Sequence, residues 1–252
     1  MRNSVFFLPA VLLVLAACGG GSPSAHVQLD PVAAVRHAAR ATAATSYHAT
    51  LTTDFAGATP TGVGDYSGTP GKGFVTVSNS DGLDTLKSNV IVDGASVYEH
   101  WPRYPEVAPG KTWLMTNFGK YPHPGIVHQG MELARSPMEA FEQLEAARTV
   151  TNIGTQTIDG VTTTHYRVSP LDFSQLPSTA NSLYLRRPKY GPINVWVGAD
   201  GYVHRYTLAV TDRGGTGGPL TTKLDFSRFG EAVHHVKVPT ARETREVGKG
   251  GG

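Results

Sequence analysis

The sequence predicts an α+β protein, mainly β: ten or eleven antiparallel strands in one domain, accompanied by two helices. Three observations carry that expectation. Apolar residues alternate with polar or small ones at a period of two along most of the chain. The Asp-Gly pairs Asp93-Gly94, Asp159-Gly160 and Asp200-Gly201 punctuate those runs as hairpin turns. Helical spacing is confined to two stretches.

Ahead of the domain, residues 1–17 have the layout of an export signal: Arg2, an apolar run from Val5 to Ala17, and small residues before Cys18, the single cysteine. The run is too short to span a bilayer, which takes roughly 20 apolar residues. Leu15, Ala16, Ala17 and Cys18 resemble the lipobox of bacterial lipoproteins. That resemblance implies cleavage before Cys18, a diacylglyceryl group on its sulfur, and a lipid-anchored place on the extracytoplasmic face of the cell membrane. An ordinary cleaved secretory peptide with a chance cysteine is the other reading. Two acyl chains, at roughly 0.8 kcal/mol per buried CH₂, anchor a protein without help from basic residues. Once Cys18 carries lipid no disulfide can form, so the core alone must hold the exported domain. A chain of about 235 residues is long enough to bury one. Losing Arg2 with the leader lowers the formal charge from +2 to +1, which is not the basic balance of a nucleic-acid binder.

A tether of Gly, Ser and Pro fills residues 18–29, and the domain is expected over 30–239. Asp30 and Pro31 read as N-cap and first helical position, with Val32, Val35 and Ala39 at helical spacing in an alanine-rich segment reaching about Ala44. From Ser46 the period becomes two, with Tyr47, Ala49, Leu51, Thr53 and Phe55 on one face. Further strands are expected at Gly62 to Ser67, Gly73 to Ser78, Leu86 to Val92, Ala95 to Glu99 and Lys111 to Asn117. Phe118 to Gly130, with two prolines and two histidines, reads as a loop, and its length and glycines also fit a lid. Ser136 and Glu139 then form a capping box with Pro137 in the first turn, opening a second helix whose apolar face is Met138, Phe141, Leu144 and Ala147. Strands resume at Val150 to Ile158, Val161 to Val168, Ile193 to Val197, Tyr202 to Thr211 and Thr221 to Phe229. The tail 240–252 is expected to be disordered.

Two stretches carry a resemblance to a known family. The run from Pro137 to Val168, including TNIGTQTIDGVTTTHYRV, and NVWVGADGYVHRYTL from Asn194 resemble actinobacterial envelope lipoproteins of the LppX/LprG type, within the lipoprotein-carrier superfamily of LolA and LolB. The resemblance implies a strongly curved antiparallel sheet, an unclosed barrel with helices on its concave side, and a space between the layers that takes a lipid acyl chain or a lipidated molecule. On that reading Met138, Phe141 and Leu144 belong to the cover. Val35, Leu51, Phe55, Trp113, Met115, Val195 and Val197 complete the expected ligand-lining set. Val195 and Val197 share one face of their strand and Trp196 takes the other; the sequence leaves open which face is inside.

Enzymatic and metal chemistry find no motif. His234-His235 are adjacent, His123 and His128 lie in the proline-containing loop, and there is no HExxH pair or cysteine cluster. GxSxG is absent, and no glycine run is followed by a P-loop lysine with Ser or Thr. No cofactor and no catalytic residue is therefore expected. The aromatic cluster Tyr98, Trp101, Tyr104, Trp113, Phe118 and Tyr121 reads either as core and loop anchors or as the rim of a cavity. The leading expectation is a monomeric, non-enzymatic binder or carrier of an apolar ligand. The alternative is an envelope sensor with the same fold, a filled core and a protein partner; a hydrolase with dispersed catalytic residues is a weaker third.

Overall fold

The computed structural model describes residues 30–55, 59–68, 71–80, 85–100, 110–121, 129–169, 189–212, 220–233 and 237–247. The leader, Cys18, the tether, Trp101, Tyr104 and the histidine pairs 123/128 and 234/235 lie outside them.

Two helices and twelve strands follow in the described residues. They are α1 (Pro31–Ala44), β1 (Tyr47–Phe55), β2 (Thr61–Ser67), β3 (Lys72–Ser80), β4 (Thr85–Asp93), β5 (Ser96–His100) and β6 (Trp113–Asn117). After these come α2 (Gln129–Glu145), β7 (Val150–Ile158), β8 (Val161–Val168), β9 (Lys189–Gly198), β10 (Val203–Asp212), β11 (Leu220–Ser227) and β12 (Thr244–Glu246). All strands join one curved, unclosed sheet in the order β12-β6-β5-β4-β3-β2-β1-β11-β10-β9-β8-β7. Two meanders, β1–β6 and β7–β11, are thus zipped together where β1 meets β11, and every pairing is antiparallel except β12 with β6. Asp159 and Gly160 both take positive φ, as a type I′ hairpin requires. In the β4–β5 hairpin the register pairs Asp93 with Ser96, so the turn is Gly94-Ala95, one residue later than the Asp-Gly pair.

Both helices lie on the inner face, α2 over β1–β5 and α1 over β7, β9 and β10. Asp30 caps α1 as expected: its carboxylate accepts from the backbone N–H of Val32 (2.9 Å) and Ala33 (3.1 Å). Thr42 fastens α1 to the sheet by accepting from the N–H of Val203 at 2.9 Å, and Arg36 donates twice to the Ala147 carbonyl just past α2. One core cluster runs through both helices and both meanders. None of the helices in the described residues is long and apolar enough to cross a membrane.

Two expectations need correcting. The second helix begins at Gln129, so Ser136 is no N-cap: it sits mid-helix with its hydroxyl donating to the Glu132 carbonyl at 3.2 Å, and Pro137 lies inside the helix. Met131, Leu133 and Ala134 supply the extra turns with a buried face, which outweighs the proline's cost. The tail also contains structure. β12 pairs with β6, Val247 donates to the Met115 carbonyl at 2.8 Å, and Lys111 holds the carbonyls of Ala241 and Arg242.

Candidate functional site

The inner face of the β1–β3 corner is shaped by glycine. Alternation turns Tyr47, Ala49 and Leu51 of β1 inward, and on β2 the inward set is Gly62, Gly64 and Tyr66. The Tyr66 ring lies over Gly73 of β3, where a Cβ would come within 2.5 Å of it. A Cβ on Gly64 would stand 2.4 Å from the Phe74 carbonyl oxygen. These bare positions let a large ring lie flat on the sheet. Tyr66 then stacks on Tyr47 at 5.1 Å between centroids, and Phe141 of α2 meets Tyr47 edge-on at 5.6 Å. The Tyr66 hydroxyl donates to the Ala134 carbonyl at 2.8 Å, locking strand to helix. Burial raises both tyrosine hydroxyls well above their ordinary pKa, so they stay neutral.

Where this aromatic corner reaches the end of α1 and the β2–β3 turn, a pocket of about 190 Å³ remains. Ala43, Tyr47, Tyr66, Ser67, Gly68, Gly71, Met138, Phe141, Glu142 and Glu145 line it. The α2 contributors fall at i, i+3, i+4 and i+7, a single helix face. Glu142 and Glu145 bring charge to the wall, and further charges lie along the same helix and on α1. Arg40 pairs with Glu145 at 3.3 Å and Arg135 with Glu139 at 3.3 Å, while Arg135 also lies over the Phe118 ring, 3.7 Å from its centroid. Glu142 Oε2 is buried and accepts no hydrogen bond among the described residues. Burial raises the Glu142 carboxyl above its ordinary pKa, with Arg135 opposing and Glu145 adding to the rise. Further in, Glu99 faces the interior from β5, only 2% exposed, and accepts from Ser88 Oγ at 2.8 Å. Burial pushes its pKa up to about 7 against that hydrogen bond.

The residues expected to line a ligand fall into four groups. Val35, Leu51, Phe141, Leu144 and Val195 are buried at 0–3% exposure in the single core cluster, and Met138 and Val197 pack against it. Of these, Met138 and Phe141 line the pocket. Trp113 and Met115 stand on the other face of β6 from buried Leu114 and Thr116. There Trp113 sits against His100 at 5.1 Å, and Met115 ends an outer row that runs across the register through Tyr98 and Ile91 to Phe74. Phe55 is placed by its pairing with Leu220 in β1–β11. On β9, Val195 and Val197 face the core, while Trp196 points out, stacked on His165 at 4.4 Å with its indole N–H donating to Gln156. In the aromatic cluster, Phe118 is a buried anchor beneath Arg135.

Tyr47, Tyr66 and Glu142 are pocket residues that the sequence reading did not single out. Gly62-x-Gly64-x-Tyr66 carried the signal, two bare positions and a ring on one face of one strand.

An outer-face row of Ser227, His48 and Asp65 crosses β11, β1 and β2, with His48 Nδ1 2.7 Å from Asp65 Oδ1. Arg228 donates to that same Asp65 oxygen at 2.9 Å and also contacts His48 Nδ1, which makes the row an ion-pair network on an open surface. Among the described residues no group of three or more His, Cys, Asp or Glu is placed to hold a metal ion.

One open sheet carrying two helices on its inner face makes a half-barrel. Solved structures similar to this chain include lipoprotein LppX of Mycobacterium tuberculosis, with 19% identity over 81% of this chain and 96% of that one at a TM-score of 0.49. LprF of Mycobacterium bovis shares 14% identity over 83% and 96% at 0.47. A LolA superfamily protein of Nitrosomonas europaea shares 8% over 83% and 96% at 0.30. No family model and no curated protein matches the chain.

Proposed function

We propose that the chain is an extracytoplasmic lipoprotein, tethered through Cys18, that binds the apolar part of a ligand at the pocket between α1, α2 and the β2–β3 turn. The observation that carries this reading is the pocket's wall: Tyr47, Tyr66, Met138 and Phe141 converge there from two strands and a helix. Burial of apolar surface, at about 25 cal/mol per Å², would drive binding without a polar motif. Size limits what enters. A cavity of about 150 Å³ holds one benzene, so 190 Å³ takes a ring or a short alkyl end. Carriage of a whole acyl chain requires α2 to lift from the sheet, because the floor beneath it is filled.

That filled floor favours a second reading, an envelope interaction module with a protein partner. Native mass spectrometry of the exported chain, followed by organic extraction, separates the two. An adduct that survives in the wild type and disappears in a folded Met138→Glu variant supports ligand binding. A folded chain that stays empty across a panel of apolar compounds supports the interaction module.

A further inference from the structure

We infer that the pocket at the ends of α1 and α2 selects an organic cation, an ammonium group bearing a ring or short alkyl substituent. The inference rests on the reading that this pocket takes a ligand, and it adds the ligand's charge.

The charges in and around the wall decide the sign. Arg40 is taken by Glu145 and Arg135 pairs with Glu139, so Glu142 feels Arg135 only at longer range and has no ion pair of its own among the described residues. Its Oε2 is buried in the wall with no hydrogen-bond donor there. An unmet carboxylate oxygen is costly in such surroundings, and a cation seated in the pocket against the Glu142 carboxylate would offset that cost. An anion would meet Glu142 and Glu145 together. The remaining wall suits the same guest: Tyr47, Tyr66, Met138 and Phe141 supply an apolar lining for its ring. With about 190 Å³ available, the space fits one aromatic ring with its ammonium directed at Glu142.

The test is a calorimetric titration of the exported, lipidated chain in nanodiscs, with empty nanodiscs subtracted. The probes are benzylammonium, benzyl alcohol and benzoate, which share a ring and differ in charge. Benzylammonium is expected to bind about tenfold tighter than benzyl alcohol, the size of one charge-assisted hydrogen bond. Benzoate is expected not to bind, and Glu142→Gln to remove the preference for the cation. Equal binding of benzylammonium and benzyl alcohol, or a preference that survives Glu142→Gln, overturns the charge inference while leaving the apolar pocket standing. Failure of all three probes overturns the pocket reading as well. Should Glu142→Gln not fold, the wild-type series decides alone.

Discussion

The two wings of the sheet share one strand grammar and end with different interiors. Under α2, the inward residues Leu51, Val75, Val90, Val92 and Val97 are sealed from solvent. On the far wing Tyr166 and Val197 are only partly covered, and β7 is exposed at every residue from Thr151 to Thr157. The covering helix makes the difference. α2 spans 17 residues and presents Met131, Leu133, Phe141 and Leu144 to five strands. α1 spans 14 and buries Val35, Ala38 and Ala39, small side chains that allow close approach but reach less far. Alternation therefore tells which residues pair on one face, and the helix above decides whether that face is dry. The pocket lies beside the tightly covered wing, where aromatic rings meet at the helix ends.

Substitutions can break or sharpen this contrast. The largest effect is expected from Leu144→Asp, which puts an unpaired charge into a fully buried site. A loss of more than about 4 kcal/mol, seen as a missing thermal transition, is the expected outcome. An equal loss from Ile153→Asp on β7 would erase the distinction between the wings.

A second change acts through pH. Below about 4.5 the Glu99 carboxyl is protonated in folded and unfolded chains alike, and with its folded pKa raised to about 7 the unfolded chain ionises first as pH rises. Stability should thus fall between those values, by up to about 3 kcal/mol, and level off above 7. Glu139, also pushed up to about 7 by burial, adds a slope of the same sign. Urea unfolding at pH 5 and pH 8 should show a smaller difference in Glu99→Gln than in the wild type. An unchanged difference would locate the titration elsewhere.

Gly73→Val tests the corner, because the added Cβ would meet the Tyr66 ring. Overpacking of that kind costs about 1–3 kcal/mol and should lower the melting temperature. The smallest effect belongs to Ile153→Thr on the exposed strand, 44% open to solvent, where a change within about 0.5 kcal/mol is expected.

Much of the fold was legible in the sequence because its signals are local. Asp30 capped α1, the Asp-Gly pairs marked their hairpins, and all eleven expected strands have counterparts. Nonlocal features were hidden. Pro137 looked like a helix start, since nothing in the sequence says that Met131 and Leu133 would be buried before it. β12 owes its existence to an edge of β6 far away in the chain. Met138 and Phe141 stood out from helical spacing as part of one apolar helix face, and both line the pocket. Trp113 and Met115 were placed in the expected ligand-lining set, yet period two cannot say which face of β6 is the inner one.

Photolabelling the exported chain with a phenyl diazirine, then mapping the modified residues by peptide mass spectrometry, tests the central claim most directly. The account predicts label on Met138 and Phe141 of α2 and on Tyr47 or Tyr66 across from them. Label confined to Tyr166 and Val197, or to the outer row of Tyr98, Trp113 and Met115, would contradict it.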